Sequence, residues 1–225
     1  MIKTFLILVI LQKFLYSGQF IVVISENFNS SKATLTCYED SKKALSTIDV
    51  NIGRNGLGWG LGEIKLTQKD DEPIKIEGDG KAPAGIFKLI STFGYKKEQI
   101  FNLNYQYLSS DLICVDDSSS KDYNKIITMP KIKPKSFETM RRDDHQYELG
   151  VVVAHNQKQR SQAGSCIFLH VEKFKGAGTA GCSSMTLENM RMINNWLDGD
   201  KNPILIQIPK SSLEEVKKLY PNLPL

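Results

Sequence analysis

The segment GSCIFLHVEKFKGAGTAGCSSM, residues 164–185, decides the fold because it joins a strand pattern to a cysteine through a glycine-rich turn. The stretch Ser165–His170 is bounded by turn residues, which predicts a strand. Side chains alternate along a strand, so Phe168 and His170 are expected on one face. The turn that follows is long enough to bring Cys182 back beside His170. A thiol and an imidazole placed in this way can meet within hydrogen-bonding distance.

Four interpretations of Cys182 are open from this segment alone: a small buried hydrophobe, half of a disulfide, a metal ligand or a nucleophile. A nucleophilic thiol needs a neighbouring base, which His170 would supply. Gly181 lets the backbone turn tightly, and the amides around Cys182 and Ser183 can then face a developing oxyanion. Spacing alone favours an ordinary core histidine, with the nucleophilic pair as the alternative.

Short strand patterns separated by turn residues dominate the rest of the chain. They cover, in chain order, Phe20–Ser25, Lys32–Glu39, Ile86–Ile90, Asp111–Asp117, Gly150–Asn156 and Pro203–Pro209. The glycine-dense stretch Gly53–Gly62 predicts a loop or a tight strand crossing. Because helical patterns are a minority, we expect a mainly β domain with a few helices, an α+β class, rather than alternating βαβ units.

Two helices are predicted near the end of the chain. Apolar residues recur at helical spacing from Leu187 to Leu197, with Thr186 as the N-cap. Ser211 and Glu214 form a capping box in front of a second apolar stripe, which predicts a helix over 211–220.

The N-terminus has the layout of an export signal, with an early Lys3, the apolar run Phe5–Leu11 and small residues before position 19. The run is shorter than the roughly 20 residues of a spanning helix, and Lys13 interrupts it. We therefore expect residues 1–18 to be a signal peptide. The protein would then be exported to the periplasm or cell envelope, or secreted, with no stable membrane span after signal removal. An uncleaved anchor and a buried N-terminal element are the alternatives.

Composition indicates one globular domain, residues 19–225, large enough to bury a core without crosslinks. The formal net charge is +4. The sequence has no basic stripe and no interleaving of aromatic with basic residues, which argues against a nucleic-acid partner.

The chain has four cysteines, Cys37, Cys114, Cys166 and Cys182. An even number in an oxidising compartment invites two bridges. If Cys182 is catalytic, however, at most one intramolecular pair can form among the others. Core packing is the favoured interpretation of Cys166, while a bridge to Cys114 or Cys37 and a resolving role stay open.

Two further sets of residues have ordinary interpretations. Asp116 and Asp117 follow a strand, where turn chemistry is favoured over an acid–base pair. The histidines, His145, His155 and His170, lack the spacing of metal ligands, so no metal site is predicted.

The run FLHVEKFKGAGTAGCSSM resembles the active-site segment of the L,D-transpeptidase catalytic domain, the YkuD-like family, in a branch with a TAGC motif. The family's histidine, Ser/Thr, glycine and nucleophilic cysteine correspond to His170, Thr179, Gly181 and Cys182. Further matching motifs are GRNGLGWG, GDGKAPAGIF, CVDD, YN, MRRDD and GSCIFLH. The resemblance spans about Gln19–Pro209 and leaves the predicted last helix outside.

The resemblance implies a YkuD-like β-sandwich and an exported acyltransferase that acts on peptidoglycan stem peptides without a metal or organic cofactor. Cys182 would attack the carbonyl between the diamino acid and the terminal D-alanine, and the resulting thioester would pass to an amine. His170 would be the base. The Thr179 region would orient the imidazole through a backbone carbonyl, and the amides near Gly181 and Cys182 would form the oxyanion hole. An L,D-carboxypeptidase of the same fold and a non-catalytic wall-binding module are the alternatives.

Four residues are candidates for substrate binding: Ser183, Ser184, Arg142 and Asn156. Ser184 stands where many family members have an arginine, and serine cannot pair bidentately with a carboxylate. Arg142 or its neighbour Arg141 is the candidate for that anion-binding role, against a surface ion pair within RRDD. Asn156, at the end of a predicted strand, is a candidate for orienting groups near the site.

Overall fold

A computed structural model of the chain describes residues 18–225. The predicted signal peptide, residues 1–18, therefore lies outside the described residues except for Gly18. Within the described part, no helix is both long enough and apolar enough to cross a bilayer.

Strands dominate the described residues. In chain order, β1 to β14 are Gln19–Ser25, Lys32–Glu39, Lys42–Lys43, Ile48–Asn51, Leu57–Trp59, Ala82–Gly94, Tyr105–Tyr107, Leu112–Cys114, Ile126–Thr128, Glu138–Thr139, Leu149–Val153, Phe168–Val171, Ser183–Met185 and Ile204–Pro209. The helices are α1, Leu187–Trp196, and α2, Leu213–Leu219. The predicted class, mainly β with a few helices, is confirmed.

The larger sheet closes on itself. Its strand order is β1-β14-β6-β11-β12-β13-β4-β2, and β2 pairs back with β1. Strand β1 is parallel to β14 and antiparallel to β2. These pairings form a closed barrel, whereas the resemblance implied a sandwich of two packed sheets, and that expectation is not confirmed. Alternation of buried and exposed residues along a strand is the same in both architectures, so the sequence pattern does not separate them.

The two predicted helices differ in how well their starts were predicted. Thr186 caps α1, because its hydroxyl accepts a hydrogen bond from the amide of Asn189 at 3.2 Å. The capping box at Ser211 and Glu214 is wrong, since α2 begins at Leu213 and its N-cap, Ser212, makes no side-chain capping bond. A single turn of 3₁₀ helix over Lys210–Ser212 leads into α2 and places Ser211 inside that turn.

A smaller sheet lies against the barrel and creates a second core. It contains three strands in the order β10-β8-β9. Leu169 belongs to the core inside the barrel. Phe168 belongs to the second core, together with Cys182 and Tyr147. The alternation predicted along this strand is therefore confirmed, and it directs these side chains outward, toward the smaller sheet.

Candidate active site

The candidate site is built on two neighbouring strands of the barrel wall. Strands β12 and β13 run parallel, with His170 opposite Ser184. Cys182 directly precedes β13 and lies beside Phe168, whose amide donates a hydrogen bond to Sγ at 3.3 Å. Cys182 and His170 line the same cavity, of about 490 Å³. The structure thus brings the predicted nucleophile and base to one cavity. Among residues 18–225, however, no hydrogen bond joins Sγ of Cys182 to the ring of His170, so the expected contact between them is not formed at rest.

The Cys182 thiol is free and buried. Its Sγ donates to the carbonyl of Cys166 at 3.4 Å. Burial raises the pKa of the thiol to about 12, and the nearby carboxylate of Glu138 acts in the same direction. At neutral pH the sulfur is therefore a protonated thiol held between a backbone donor and a backbone acceptor.

His170 is held in one tautomer by the backbone. Its Nδ1 lies 2.7 Å from the carbonyl oxygen of Val171, and a carbonyl can only accept, so Nδ1 carries the proton. Nε2 then keeps its lone pair, as a general base requires. Burial lowers the pKa of His170 to about 4, which keeps the ring neutral at pH 7. The edge-to-face ring of Tyr147, with centroids 5.3 Å apart, fixes the plane of the imidazole.

Thr179 closes the turn before the cysteine instead of orienting the imidazole. Its hydroxyl donates to the carbonyl of Cys182 at 2.6 Å and accepts from the amide of Gly181 at 3.2 Å. The Thr179 carbonyl accepts from the amide of Arg54 at 2.8 Å. The orienting carbonyl predicted near Thr179 is thus supplied by Val171. One of the two amides expected in the oxyanion hole, that of Gly181, already has an acceptor.

The glycine-dense segment supports this turn. Gly53 forms a β-bridge with Thr179. A Cβ at Gly53 would lie 2.4 Å from the amide nitrogen of Ala82, which no side chain tolerates. Glycine is required here for a close approach of three backbone segments, as the sequence predicted for this stretch.

The two serines after the nucleophile face opposite ways. The Ser184 hydroxyl is buried, lines the cavity and has no hydrogen-bond partner among the described residues. Ser183 points into the barrel, where its hydroxyl donates to Oε1 of Gln207 at 2.6 Å. The Ser183 side chain is therefore not part of the cavity. Strand alternation separates the two residues once the register is known.

Asn156 holds a loop and lies outside the cavity wall. Its side-chain amide donates to the carbonyls of Arg160 at 2.9 Å and Gly164 at 3.0 Å. Its own backbone is left-handed, with φ of 51°, which asparagine tolerates better than most residues. The structure thus gives Asn156 a loop-forming position in place of the expected contact with substrate.

Arg142 lines the cavity, as its predicted anion-binding role requires, and it also forms an ion pair, which was the alternative interpretation. Its guanidinium is 2.6 Å from a carboxylate oxygen of Asp144 and 5.2 Å from the ring centre of Tyr147. Asp144 holds the pKa of Arg142 above its usual value. Arg141 turns away and donates to the carbonyl of Leu108 at 3.0 Å.

The cavity wall contains charged residues that sequence reasoning did not assign to the site. They are Lys75, Glu77, Asp116 and Glu138, together with Lys173 in the turn before Cys182. Lys75 and Glu77 come just before the GDG motif, and Glu138 just before MRRDD, but no spacing rule marks them. They meet only because the smaller sheet packs against the barrel.

Turn chemistry, the favoured interpretation of Asp116 and Asp117, fits only one of the two residues. Asp117 accepts from the amides of Ser119 and Lys135, each at 3.0 Å, which confirms turn chemistry for this residue. Asp116 faces the cavity, and its Oδ1 is buried without a hydrogen-bond partner among the described residues. Turn chemistry is therefore the wrong interpretation for Asp116.

Cys166 is bridged to Cys114, so the prediction of a packed core thiol is wrong. The sequence could not show that β8 would lie against the residues before β12. Cys37 is free and buried. Within residues 18–225, no group of three histidine, cysteine or acidic side chains is arranged to hold a metal ion.

Comparison of the chain with models of protein families, with curated proteins and with solved structures gave no match.

Proposed function

We propose that the protein is an exported, YkuD-like L,D-transpeptidase that acts on peptidoglycan stem peptides. One observation carries the proposal: an unbridged thiol and an imidazole held by the backbone with its proton on Nδ1 line the same cavity. The motifs around Cys182 add the substrate class. Family membership and export are parts of the proposal.

Acylation begins as the Cys182 sulfur attacks the carbonyl carbon between the diamino acid and the terminal D-alanine. The thiol proton passes to Nε2 of His170, while the amide of Cys182 stabilises the oxyanion. When the tetrahedral intermediate collapses, the imidazolium gives this proton to the leaving nitrogen, and D-alanine departs. A thioester remains on Cys182.

Transfer restores the enzyme. An acceptor amine attacks the thioester carbon, His170 removes a proton from the amine, and the new amide forms as sulfur leaves. The sulfur takes the proton back. If water replaces the amine, the same steps give an L,D-carboxypeptidase.

Burial decides how this pair works. A thiol pKa of about 12 and an imidazole pKa of about 4 describe a neutral pair at rest. The thiol proton is therefore transferred to His170 during the attack, as in serine–histidine pairs, and the resting enzyme does not contain a Cys182 thiolate.

The test is incubation of the purified protein with tetrapeptide muropeptides, followed by mass spectrometry of the products. Crosslinked dimers with released D-alanine support the proposal, and tripeptides alone indicate the carboxypeptidase. Binding without turnover indicates a wall-binding module. Cys182→Ala is expected to abolish turnover, whereas Cys37→Ala, which removes the other free buried thiol, is expected to retain it.

A further inference from the structure

We propose that the turn between β12 and β13 is a docking surface for an anionic lipid bilayer, through an exposed phenylalanine surrounded by unpaired cations. This surface, here called the basic turn patch, contains Lys32, Arg54, Lys81, Lys173, Phe174 and Lys175. Docking of this kind does not depend on catalysis by Cys182 and is separate from the substrate of the cavity.

The turn is fixed to the barrel on both sides of its exposed middle. Near its start, a carboxylate oxygen of Glu172 accepts from the side-chain amide of Asn51 at 2.8 Å. Near its end, the amide of Thr179 donates to the carbonyl of Ile52 at 3.0 Å. The side chain of Phe174 lies between these points and is 64% exposed. The fold therefore holds an aromatic ring in solvent at a defined place.

Three lysines lie on or against the first half of the turn. Lys173 and Lys175 flank Phe174, and both are exposed. Lys32 comes from β2, and its Nζ donates a hydrogen bond to the carbonyl of Gly176. Their ammonium groups therefore belong to one surface.

Two further cations come from other segments and lie against the second half of the turn. The amide of exposed Arg54 donates to the carbonyl of Thr179 at 2.8 Å. The carbonyl oxygen of Lys81 lies 3.3 Å from the position that a Cβ on Gly181 would take. The cations of the basic turn patch thus come from four separate segments, which explains why the sequence itself shows no basic stripe.

The charges on this surface do not balance. Among residues 18–225, none of the five cations has a carboxylate within 4.0 Å. Asp79, which precedes Lys81 by two residues, is already paired with Lys75 at 2.6 Å. Two unpaired carboxylates lie nearby, that of Glu172 in the turn and that of Asp49 in the adjoining groove. Five cations against two carboxylates leave the surface positive, and an anionic partner would relieve the repulsion among them.

The carboxyl groups of the cavity do not neutralise the basic turn patch. Glu77 accepts from the hydroxyl of Ser165 at 2.7 Å, and Glu138 accepts from that of Tyr147. Oδ1 of Asp116 is buried. In the described part of the chain, none of these three acids forms an ion pair with a cation of the patch.

The exposed ring favours a bilayer over a soluble polyanion as the partner. An exposed phenylalanine is ordinary by itself. Between two lysines, however, it has the arrangement of an interfacial anchor, in which the ring enters the acyl boundary while the ammonium groups stay among the lipid headgroups. A soluble polyanion would bind the cations and leave the ring in water. Lys173 and Phe174 also line the cavity, so docking would place the cavity beside the membrane.

The experiment measures binding of the full chain to lipid vesicles by co-sedimentation. Vesicles of phosphatidylcholine are compared with vesicles of an equimolar mixture of phosphatidylcholine and phosphatidylglycerol. Residues 1–18 are present in every variant, so differences between variants report on the basic turn patch. We expect the wild-type protein to bind the mixed vesicles more tightly than the neutral ones, with an advantage that falls as salt is added.

Two variants test the two parts of the patch. Lys173→Gln/Lys175→Gln should weaken binding to the mixed vesicles by about 25-fold, which is about fivefold for each charge removed. Phe174→Ser should weaken it by about tenfold, because the ring no longer enters the acyl boundary. All three side chains are exposed, so the variants are expected to fold.

The matched control is a second exposed segment of the same chemistry. Ile132 is 89% exposed between Lys131 and Lys133. Lys131→Gln/Lys133→Gln and Ile132→Ser should leave the affinity for mixed vesicles nearly unchanged, because fewer cations converge there.

Each outcome decides for or against the docking surface. Equal affinity for neutral and mixed vesicles overturns it, and so does an equal loss in the control variants. If the double lysine variant loses binding and Phe174→Ser does not, the partner is a soluble polyanion and the bilayer is overturned. Loss in both patch variants with the controls intact supports the docking surface, whether or not the wild-type protein shows transpeptidation.

Discussion

His155 and His170 are alike in burial and unlike in their hydrogen bonds. Burial lowers the pKa of each to about 4. At His155, Nδ1 accepts from the amide of Leu61 at 3.3 Å, so Nε2 carries the proton and donates to the carbonyl of Ala163 at 2.9 Å. At His170 the tautomer is reversed, because the proton lies on Nδ1, which donates a hydrogen bond to the carbonyl of Val171. Burial alone therefore does not mark a functional histidine.

What distinguishes the two is which part of the ring the protein uses. The backbone of Leu61 and Ala163 occupies both ring nitrogens of His155, so this side chain is part of the scaffold. His170 uses its Nδ1 proton for orientation, and the residue lines the cavity. The same contrast recurs on β13, where Ser183 has a protein partner and Ser184 has none.

The largest expected effect is a loss of stability at low pH, because both histidines are buried in their neutral form. A lowered histidine pKa means that the folded state binds fewer protons, so its stability is complete above the unfolded pKa of 6.5 and falls as the pH drops toward 4. The expected loss is about 3 kcal/mol for each ring between these values. Urea unfolding at a series of pH values measures it.

Single variants divide that loss between the two rings. His155→Gln and His170→Gln should each flatten the stability curve between pH 6.5 and 4 by about half of the histidine contribution. Comparison with the wild type cancels the carboxyl groups that titrate in the same range. An unchanged slope in either variant would show that the ring in question is charged or exposed in the folded state.

The disulfide joins the loop that follows His155 to the smaller sheet and gives the next effect. Cys114 and Cys166 are 52 residues apart, and closing a loop of that length stabilises the folded state by about 4 kcal/mol in the chain-entropy treatment. A reductant should therefore lower the free energy of unfolding by about that amount. Cys37→Ala should show the same sensitivity to reductant, while the double variant Cys114→Ala/Cys166→Ala should show none.

The two histidines are expected to differ in their effect on the rate of catalysis. His170→Gln removes the proposed base and should slow acylation of Cys182 by at least about a hundredfold, followed by mass spectrometry of the acyl-enzyme. His155→Gln should leave the rate within a few fold once the fraction of folded protein is taken into account. Similar losses in both variants would mean that His170 also acts only as scaffold.

Local patterns predicted much of the fold. The strand Lys32–Glu39 has the predicted bounds, and Thr186 caps α1 as its hydroxyl and position indicated. The closure of the barrel was not predictable in the same way. It depends on β1 meeting both β2 and β14, and the β14 contact joins opposite ends of the chain. Neither alternation nor turn chemistry carries that information.

The candidate site was predictable where its residues are close in sequence. Cys182 and His170 are joined by one turn, and the structure places both at one cavity. Glu138 and Lys75 belong to segments far from that turn and reach the cavity only through packing. Ser183 was chosen because it follows the nucleophile, and the strand register turns its side chain into the barrel. Asn156 was chosen because it ends a predicted strand, but it lies beyond β11, where its side chain holds a loop.

The smallest expected effect comes from comparing two neighbouring serines, one with and one without a hydrogen-bond partner in the protein. Ser183→Ala removes a buried hydrogen bond and leaves Oε1 of Gln207 without a donor, so it should lower the free energy of unfolding in urea by about 1 kcal/mol or more. Ser184→Ala removes a hydroxyl that has no protein partner in residues 18–225, so stability should be unchanged or slightly higher. Binding of the tetrapeptide should show the reverse order, with Ser184→Ala weaker and Ser183→Ala unchanged after correction for folding. If Ser184→Ala destabilises the protein as much as Ser183→Ala does, the hydroxyl has a structural role, and the cavity loses one of its two unpaired polar groups as an argument for a ligand.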